Sequence, residues 1–287
     1  MSAHVTAAER RISVKDIRSR KGGAPLVCLT AYTAPMAELM DPFCDILLVG
    51  DSVGMVVHGL PSTVGVTLDM MILHGQAVMR GAHRALVVVD MPFGSCEGAP
   101  EVAFANAVRV LQETGAQAVK IECAPAVLGN VRYLVERGVP VMGHVGLRPQ
   151  AVLVEGGFRA RGREAEEQKQ VHDEMQGAVR AGVFALVIEG VAEALATELT
   201  AQCPVPTIGI GASAACDGQI LVTEDMLGLF ERSPRFVRRY GDLRGLVASA
   251  VERYANDVST RRFPGSGETY FSARRKLGAP PVDIPAG

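Results

Sequence analysis

Seven polar side chains with the capacity for acid–base or metal chemistry stand where short apolar segments of the sequence end. They are four carboxylates, a hydroxyl, an amine and an imidazole: Asp51, Asp90, Glu122, Glu189, Ser52, Lys120 and His144. Each of them alone is also typical of a solvated residue between a strand and a loop. If they converge, the carboxylates repel one another unless a cation holds them. A set of Asp and Glu oxygens favours a hard ion such as Mg²⁺ over zinc.

The serine suggests a second interpretation. Residues 50–54, GDSVG, match G-x-S-x-G, the nucleophile elbow of serine hydrolases, and Ser52, Asp90 and His144 follow the chain order of such a triad. An elbow needs a helix directly behind its serine, whereas residues 55–67 are rich in β-branched residues, glycine and proline. We therefore expect no helix there. Asp51 is favoured as the functional residue, with Ser52 as its hydrogen-bonding neighbour.

Short segments rich in Val, Ile and Leu recur along the chain and alternate with helical stretches. Eight of them are too short for helices and are flanked by Gly, Pro or Asp, which predicts strands. The intervening patterns predict helices, one with Pro100 near its first turn and Gly115 after its last, and another that ends at Gly182. The predicted strands are 26–31, 45–50, 85–92, 118–122, 139–146, 184–190, 206–212 and, more weakly, 219–225.

This alternation predicts the α/β class and a parallel sheet with right-handed crossovers. Eight units in about 250 residues have the size of a closed (β/α)₈ TIM barrel. Hydrophobic residues make up 48% of the chain and aromatic residues 5%, which suits parallel strands covered by helices. An open doubly wound sheet is the alternative, but GIGAS at 209–213 lacks the third glycine of its phosphate-binding fingerprint. We expect one barrel domain over residues 1–272, with a helical segment at its amino terminus, and a flexible tail over 273–287.

A parallel barrel brings the carboxyl ends of its strands to one mouth, where catalytic groups lie. The seven polar residues fall at those strand ends, so we expect them around one mouth. Lys120 and Glu122 are two residues apart and should point to the same face of their strand. The fold therefore provides the convergence that a cation site requires.

The rest of the composition narrows the range of partners. A formal net charge of −2 gives no reason to expect nucleic acid or an anionic membrane. We expect neither a signal peptide nor a membrane span. Six scattered cysteines form no C-x-x-C pair, which is typical of reduced thiols in a cytosolic protein. The composition thus indicates a cytosolic protein and gives no indication of a nucleic-acid or membrane partner.

Nine segments, in order from about residue 12 to residue 271, resemble the ketopantoate hydroxymethyltransferase (3-methyl-2-oxobutanoate hydroxymethyltransferase) family. The chain departs from the usual family pattern at Gly190, in EGVA where ECVP is more usual, and at Ser213, where glycine is more usual. The segments are LTAYTAPMA, LLVGDSVGMVVHG, VVVDMPFGS, AVKIECA, VPVMGHVGLRPQ, GGFRARGR, LVIEGV, IGIGASAACDGQILV and RFPGSGETY.

The resemblance implies a barrel of the phosphoenolpyruvate/pyruvate superfamily that transfers a hydroxymethyl group from methylene-tetrahydrofolate to 3-methyl-2-oxobutanoate. The product, 2-dehydropantoate (ketopantoate), belongs to pantothenate and coenzyme A biosynthesis. The family commonly forms cytoplasmic homo-oligomers, often decamers. The implied Mg²⁺ ligands are Asp51, Asp90 and Glu122; the implied substrate contacts are Asp51, Ser52, Asp90, Lys120 and His144; the implied general base is Glu189.

These groups predict a mechanism. A 2-oxo acid can chelate Mg²⁺ through a carboxylate oxygen and its keto oxygen, and the metal then stabilises the enolate that forms when a C3 proton leaves. Glu189, on a different strand, can take that proton, and Lys120 adds positive charge beside the oxyanion. The enolate then attacks the iminium carbon of the folate donor.

Alternatives from other functional classes stay open beside the serine hydrolase. A lyase that cleaves a C–C bond of a 2-oxo acid would use similar Mg²⁺ ligands on the same barrel but no folate. A metal-binding relative without catalytic activity would not need both Lys120 and Glu189.

Overall fold

The computed structural model describes residues 10–270, which contain eight strands and eleven α-helices. The predicted tail at 273–287 lies outside these residues. The strands are β1 Leu26–Thr30, β2 Ile46–Val49, β3 Leu86–Asp90, β4 Ala118–Glu122, β5 Val141–Gly146, β6 Ala185–Glu189, β7 Thr207–Ile210 and β8 Gly218–Leu221. The helices are α1 Val14–Arg18, α2 Ala34–Met40, α3 Val53–Val56, α4 Leu68–Gly81, α5 Pro100–Thr114, α6 Leu128–Glu136, α7 Val152–Glu155, α8 Ala165–Ala181, α9 Glu193–Gln202, α10 Thr223–Met226 and α11 Leu243–Ser259.

The chain divides into two compact units, one that ends at Gly241 and one that begins at Asp242. The first unit contains all eight strands and helices α1 to α10. The second contains α11, whose first turn is capped by the side chain of Asp242, which accepts a hydrogen bond from Gly245 N at 3.0 Å. A barrel domain that extends to residue 272 stays a prediction.

The eight strands are parallel, pair in sequence order and close into a barrel through β8 and β1. This confirms the predicted (β/α)₈ fold. The strand register sets polar residues of neighbouring strands side by side. Asp90 lies opposite Lys120, and Glu122 lies opposite His144. Neighbouring strands therefore place pairs of charged or titratable side chains next to each other, at the same level along the barrel axis.

Alternate residues of each barrel strand point inward, and the others face the surrounding helices. In β3, Val88 belongs to the apolar cluster that fills the barrel, and Asp90 continues the same alternation at the carboxyl end. In β4, Ala118 belongs to that cluster, and Lys120 and Glu122 continue the alternation. The inward-pointing residues of each strand thus fill the barrel core with apolar side chains along most of the strand and place polar side chains at its carboxyl end.

The amino-terminal end of the barrel is closed by α1 and by a polar cluster around Asp217. Ile17 of α1 is buried against the apolar cluster inside the barrel. Asp217, just before β8, accepts hydrogen bonds from Lys21 Nζ and Gly22 N, both at 2.8 Å. It also accepts from Thr207 N at 2.8 Å and Thr207 Oγ1 at 3.0 Å. The carboxylate therefore joins β7, β8 and the segment before β1.

The predicted ends of two outer helices are confirmed. Pro100 is the first residue of α5, where its missing N–H costs nothing, and Gly115 ends the helix with φ at 77°. Gly182 ends α8 with φ at 94°. Among residues 10–270, no helix is both long enough and apolar enough to cross a membrane.

Candidate active site

Asp51, Asp90 and Lys120 are brought together at the carboxyl-terminal mouth of the barrel. Lys120 Nζ lies 2.6 Å from Asp90 Oδ1, and both side chains are buried. Asp90 Oδ2 accepts a hydrogen bond from the backbone N–H of Asp51 at 3.0 Å. Both oxygens of Asp90 are thus engaged, one by an ammonium group and one by the backbone that carries the next carboxylate.

His144 links Lys120 to Glu189. Its Nε2 lies 2.8 Å from Leu147 O, an acceptor, which assigns the ring proton to Nε2 and leaves a lone pair on Nδ1. Lys120 Nζ lies 3.5 Å from that Nδ1, and Glu189 Oε2 lies 3.5 Å from Nε2. Burial and the charge of Lys120 hold the pKa of His144 well below its usual value. The imidazole is therefore neutral and orients the ammonium group rather than adding charge.

Gln150 connects two of the carboxylates, and the sequence did not single it out. Its Nε2 donates to Asp51 Oδ2 at 2.8 Å and to Met91 O at 3.0 Å. Its backbone N–H donates to Glu122 Oε1 at 3.1 Å. Gln150 lies in the 3₁₀ turn Pro149–Ala151 that follows β5, beyond the strand ends from which the site residues were predicted.

The mouth holds more negative charge than its lysine can balance. Burial and the neighbouring Asp90 raise the pKa of Asp51 to about 7, and burial and Asp51 raise the pKa of Glu122 to about 8. The pKa of Glu189 is raised to about 8, chiefly by burial. Burial alone would lower the pKa of Lys120, but Asp90 and Asp51 outweigh it and raise that pKa. Lys120 is therefore a cation among competing carboxylates.

The donor set fits a hard divalent cation. Within the part of the chain that the structure describes, no three His, Cys, Asp or Glu side chains already form a complete metal site. Mg²⁺, however, usually binds one or two protein carboxylates and completes its shell with substrate and water oxygens. Asp51 and Glu122 are held on either side of Gln150, in a region with buried, uncompensated negative charge. A divalent cation at this position would offset that charge.

Ser52 does not form a nucleophile elbow. The expectation that no helix follows it is wrong, because α3 begins at Val53. That helix is a single turn of four residues, short enough for β-branched residues to be tolerated. Ser52 itself has ordinary helical dihedrals, φ −52° and ψ −17°, instead of the strained turn of an elbow. Its Oγ lies 2.8 Å from Tyr32 Oη, so its hydrogen-bond partner is a phenol and not the imidazole of His144.

The segment between β5 and α8 is attached at both ends to the end of β6. Leu147 N donates to Glu189 O at 2.8 Å, and Arg161 N donates to Gly190 O at 2.7 Å. Ala192 N donates back to Arg161 O at 3.0 Å. Gly190 has φ at 58°, a left-handed conformation that glycine adopts without strain. The departure from the family pattern at this position therefore suits the backbone that holds the segment.

The second departure from the family pattern, Ser213 in place of glycine, also fits the structure. Ser213 is buried, and its Oγ donates to Glu193 Oε1 at 2.9 Å and lies 2.7 Å from Thr197 Oγ1. The extra hydroxyl thus has partners of its own on α9.

The closed parallel barrel has the same fold as solved members of the PEP mutase/isocitrate lyase superfamily. The solved 2,3-dimethylmalate lyase, a member of that superfamily, matches with a TM-score of 0.58 at 14% identity, covering 90% of this chain and 89% of that one. Phosphoenolpyruvate phosphomutase from Streptomyces platensis subsp. rosaceus matches with a TM-score of 0.58 at 11% identity, covering 86% and 88%. At such identities the likeness shows the fold alone.

Sequence similarity defines the family. Residues 11–266 match the family described as ketopantoate hydroxymethyltransferase. A 3-methyl-2-oxobutanoate hydroxymethyltransferase of Phenylobacterium zucineum (strain HLK1) is 68% identical over 272 residues, covering 95% of this chain and 99% of the relative. One of Caulobacter vibrioides (strain NA1000 / CB15N) is 62% identical over 274 residues, covering 96% and 100%. The chain belongs to the ketopantoate hydroxymethyltransferase family, which confirms the resemblance seen in the sequence.

Proposed function

We propose that this chain transfers a hydroxymethyl group from methylene-tetrahydrofolate to 3-methyl-2-oxobutanoate, giving 2-dehydropantoate for pantothenate and coenzyme A biosynthesis, with Mg²⁺ as cofactor. The observation that carries the proposal is the cluster of buried carboxylates around Lys120, in a chain of this family. The cation would be held by Asp51, Asp90 and Glu122. When bound, it supplies positive charge that polarises the keto group of a 2-oxo acid.

Lys120 supplies the second positive charge. Its raised pKa keeps it protonated at neutral pH, and Asp90 and His144 hold its ammonium group in place. A fixed ammonium group in a site shielded from water stabilises an oxygen that gains negative charge during the reaction. Because His144 is neutral, it accepts a hydrogen bond from Lys120 without competing for that oxygen.

Glu189 is the general base in this proposal. Its side chain is 20% exposed, against 8% for Lys120 and 4% for Asp90, so it is the more accessible of these three groups. A base is most effective when its pKa lies near the working pH, and the pKa of Glu189 is raised to about 8. Glu189 would take the C3 proton of the 2-oxo acid, and the resulting carbon nucleophile would attack the one-carbon unit of the folate.

Proton NMR of 3-methyl-2-oxobutanoate in D₂O tests this proposal. With the enzyme and Mg²⁺, the C3 proton signal should disappear as deuterium replaces it, and the hydroxymethyl product should form only when methylene-tetrahydrofolate is added. A C–C bond lyase would instead consume its 2-oxo acid without folate. Absence of both C3 exchange and product over a range of Mg²⁺ concentrations would contradict the proposal.

We also propose that the protein acts in the cytoplasm as a homo-oligomer, as the family resemblance implies. Light scattering of the purified protein distinguishes an assembly of ten chains from smaller ones, and a monomer at micromolar concentration would contradict the proposal.

A further inference from the structure

One glutamine contacts the ends of three neighbouring strands. The side-chain amide of Gln150 donates to Asp51, which follows β2, and to the carbonyl of Met91, which follows β3. Its backbone N–H donates to Glu122, the last residue of β4. The residue is 8% exposed. Gln150 therefore holds one oxygen of each of two carboxylates that face a common region.

We propose that Gln150 is a positioning residue for the divalent cation, one that sets the side-chain orientations of Asp51 and Glu122 before the cation binds. This inference rests on the proposed metal dependence. Two buried carboxylates without such donors would turn away from each other, because like charges repel strongly at low dielectric. Donors to one oxygen of each carboxylate fix the direction of the other oxygen. Groups that orient metal ligands in this way commonly set the affinity of the site.

The chemistry of the amide suits this position. A lysine or arginine would also donate hydrogen bonds, but its charge would compete with the cation for the same oxygens. A glutamate would add another buried carboxyl group beside Asp51 and Glu122, whose pKa values are already raised by burial and by a neighbouring carboxylate. A neutral amide donates without either effect, and Met91 O accepts its second N–H, so that neither amide hydrogen is left unpaired.

The loop that carries Gln150 is itself held in place. Pro149 begins the 3₁₀ turn with a fixed φ. Leu147 N is bonded to Glu189 O, and Arg148 Nη2 lies 3.3 Å from Glu155 Oε1. The amide is therefore presented by a constrained backbone, so the orientation that it imposes on the carboxylates is available without a rearrangement of the loop.

Binding of Mn²⁺ in the absence of substrate tests the inference apart from turnover. Gln150→Met keeps the length of the side chain and the backbone N–H that bonds Glu122, but it removes the donor to Asp51. The dissociation constant for Mn²⁺, from the electron paramagnetic resonance signal of free Mn²⁺, should therefore rise about 10–100-fold. The matched control is Gln117→Met, just before β4 at the other end of the barrel, where the amide accepts from Val87 N at 3.0 Å. It should leave the dissociation constant unchanged.

A second readout separates positioning from general stability. If Gln150 positions the ligands, the Mg²⁺ concentration for half-maximal turnover should rise in Gln150→Met in parallel with the Mn²⁺ dissociation constant, with a smaller change at saturating Mg²⁺. Gln150→Asn keeps the amide but shortens the side chain, so it should also weaken Mn²⁺ binding. This second variant tests the inference if the methionine variant does not fold. Wild-type Mn²⁺ affinity in either folded variant would overturn the inference alone. A wild-type protein that binds no Mn²⁺ would overturn the metal proposal and this inference with it.

Discussion

Asp217 joins three segments at the amino-terminal end of the barrel, and Asp217→Asn tests how much that junction contributes to stability. The carboxylate is 6% exposed and accepts four hydrogen bonds, from Lys21, Gly22 and twice from Thr207. An asparagine replaces one oxygen by an NH₂ group, so at least one donor faces another donor, and Lys21 loses its counterion. Each hydrogen bond to a charged group contributes about 1.5–3 kcal/mol, so we expect the free energy of unfolding to fall by about 2–4 kcal/mol.

The loss of unfolding free energy in Asp217→Asn should depend on pH in a defined direction. Burial alone would raise the pKa of Asp217, but the hydrogen bonds from Lys21, Thr207 and Gly22 outweigh burial and lower it. A carboxylate with a depressed folded-state pKa adds stability above its unfolded pKa of about 3.9. That stability is lost as the pH falls through the folded-state value. The gap between wild type and Asp217→Asn should therefore be complete at neutral pH and shrink below about pH 4.

Urea denaturation followed by circular dichroism at neutral pH and at about pH 3 measures both effects. Asp69→Asn is the matched control, since Asp69 forms an exposed ion pair with Arg109 at 2.7 Å and such pairs contribute less than about 1 kcal/mol. Turnover should be unchanged in Asp217→Asn, because the residue precedes β8 at the end opposite the mouth. A loss no larger than that of the control, or an equal gap at both pH values, would refute the reasoning.

The remaining predictions concern the mouth. Glu189→Gln should reduce product formation about 10²–10⁴-fold and abolish C3 exchange by NMR, while calorimetric binding of the 2-oxo acid with Mg²⁺ stays similar; intact exchange would identify another base. Ser52→Ala removes the hydrogen bond with Tyr32 and should cost about 1–3 kcal/mol of transition-state stabilisation, measured as kcat/KM. Labelling of wild-type Ser52 by a fluorophosphonate would instead support a hydrolase. Asp90→Asn removes the counterion of Lys120 and should abolish Mg²⁺-dependent turnover with an unchanged circular dichroism spectrum; near-normal turnover at low Mg²⁺ would count against the ligand assignment.

The barrel was predictable because buried parallel strands are continuous apolar segments and their helices end at glycines such as Gly115 and Gly182. The prediction was least accurate at the eighth strand. The apolar pattern over 219–225 runs on past Leu221, where β8 ends, and α10 begins at Thr223. There Thr223 Oγ1 donates to Thr30 O, a tertiary contact that local periodicity does not encode.

The polar residues at strand ends were predictable for a topological reason, since a closed parallel barrel brings all of those ends to one mouth. Gln150 and Tyr32 were missed because they lie in loops, where neither a period of two nor a strand end marks which side chain turns inward. The helix behind Ser52 was missed because residue propensities are a weak guide over four residues. Which residues bind the cation and which takes the proton stay predictions.

The segment from Leu147 to Arg161 is held at both ends. Its first and last residues donate backbone hydrogen bonds to the carbonyl oxygens of two adjacent residues, Glu189 and Gly190. The two accepting carbonyl groups belong to the last residue of β6 and to the residue directly after it. Closing a flexible loop costs only about 0.6 kcal/mol more each time its length doubles. A change in the length of this segment would therefore cost little closure entropy, but it would have to keep Glu155, which pairs with Arg148 and Arg161. The proposed base and the segment beside it thus share one fixed point at the end of β6.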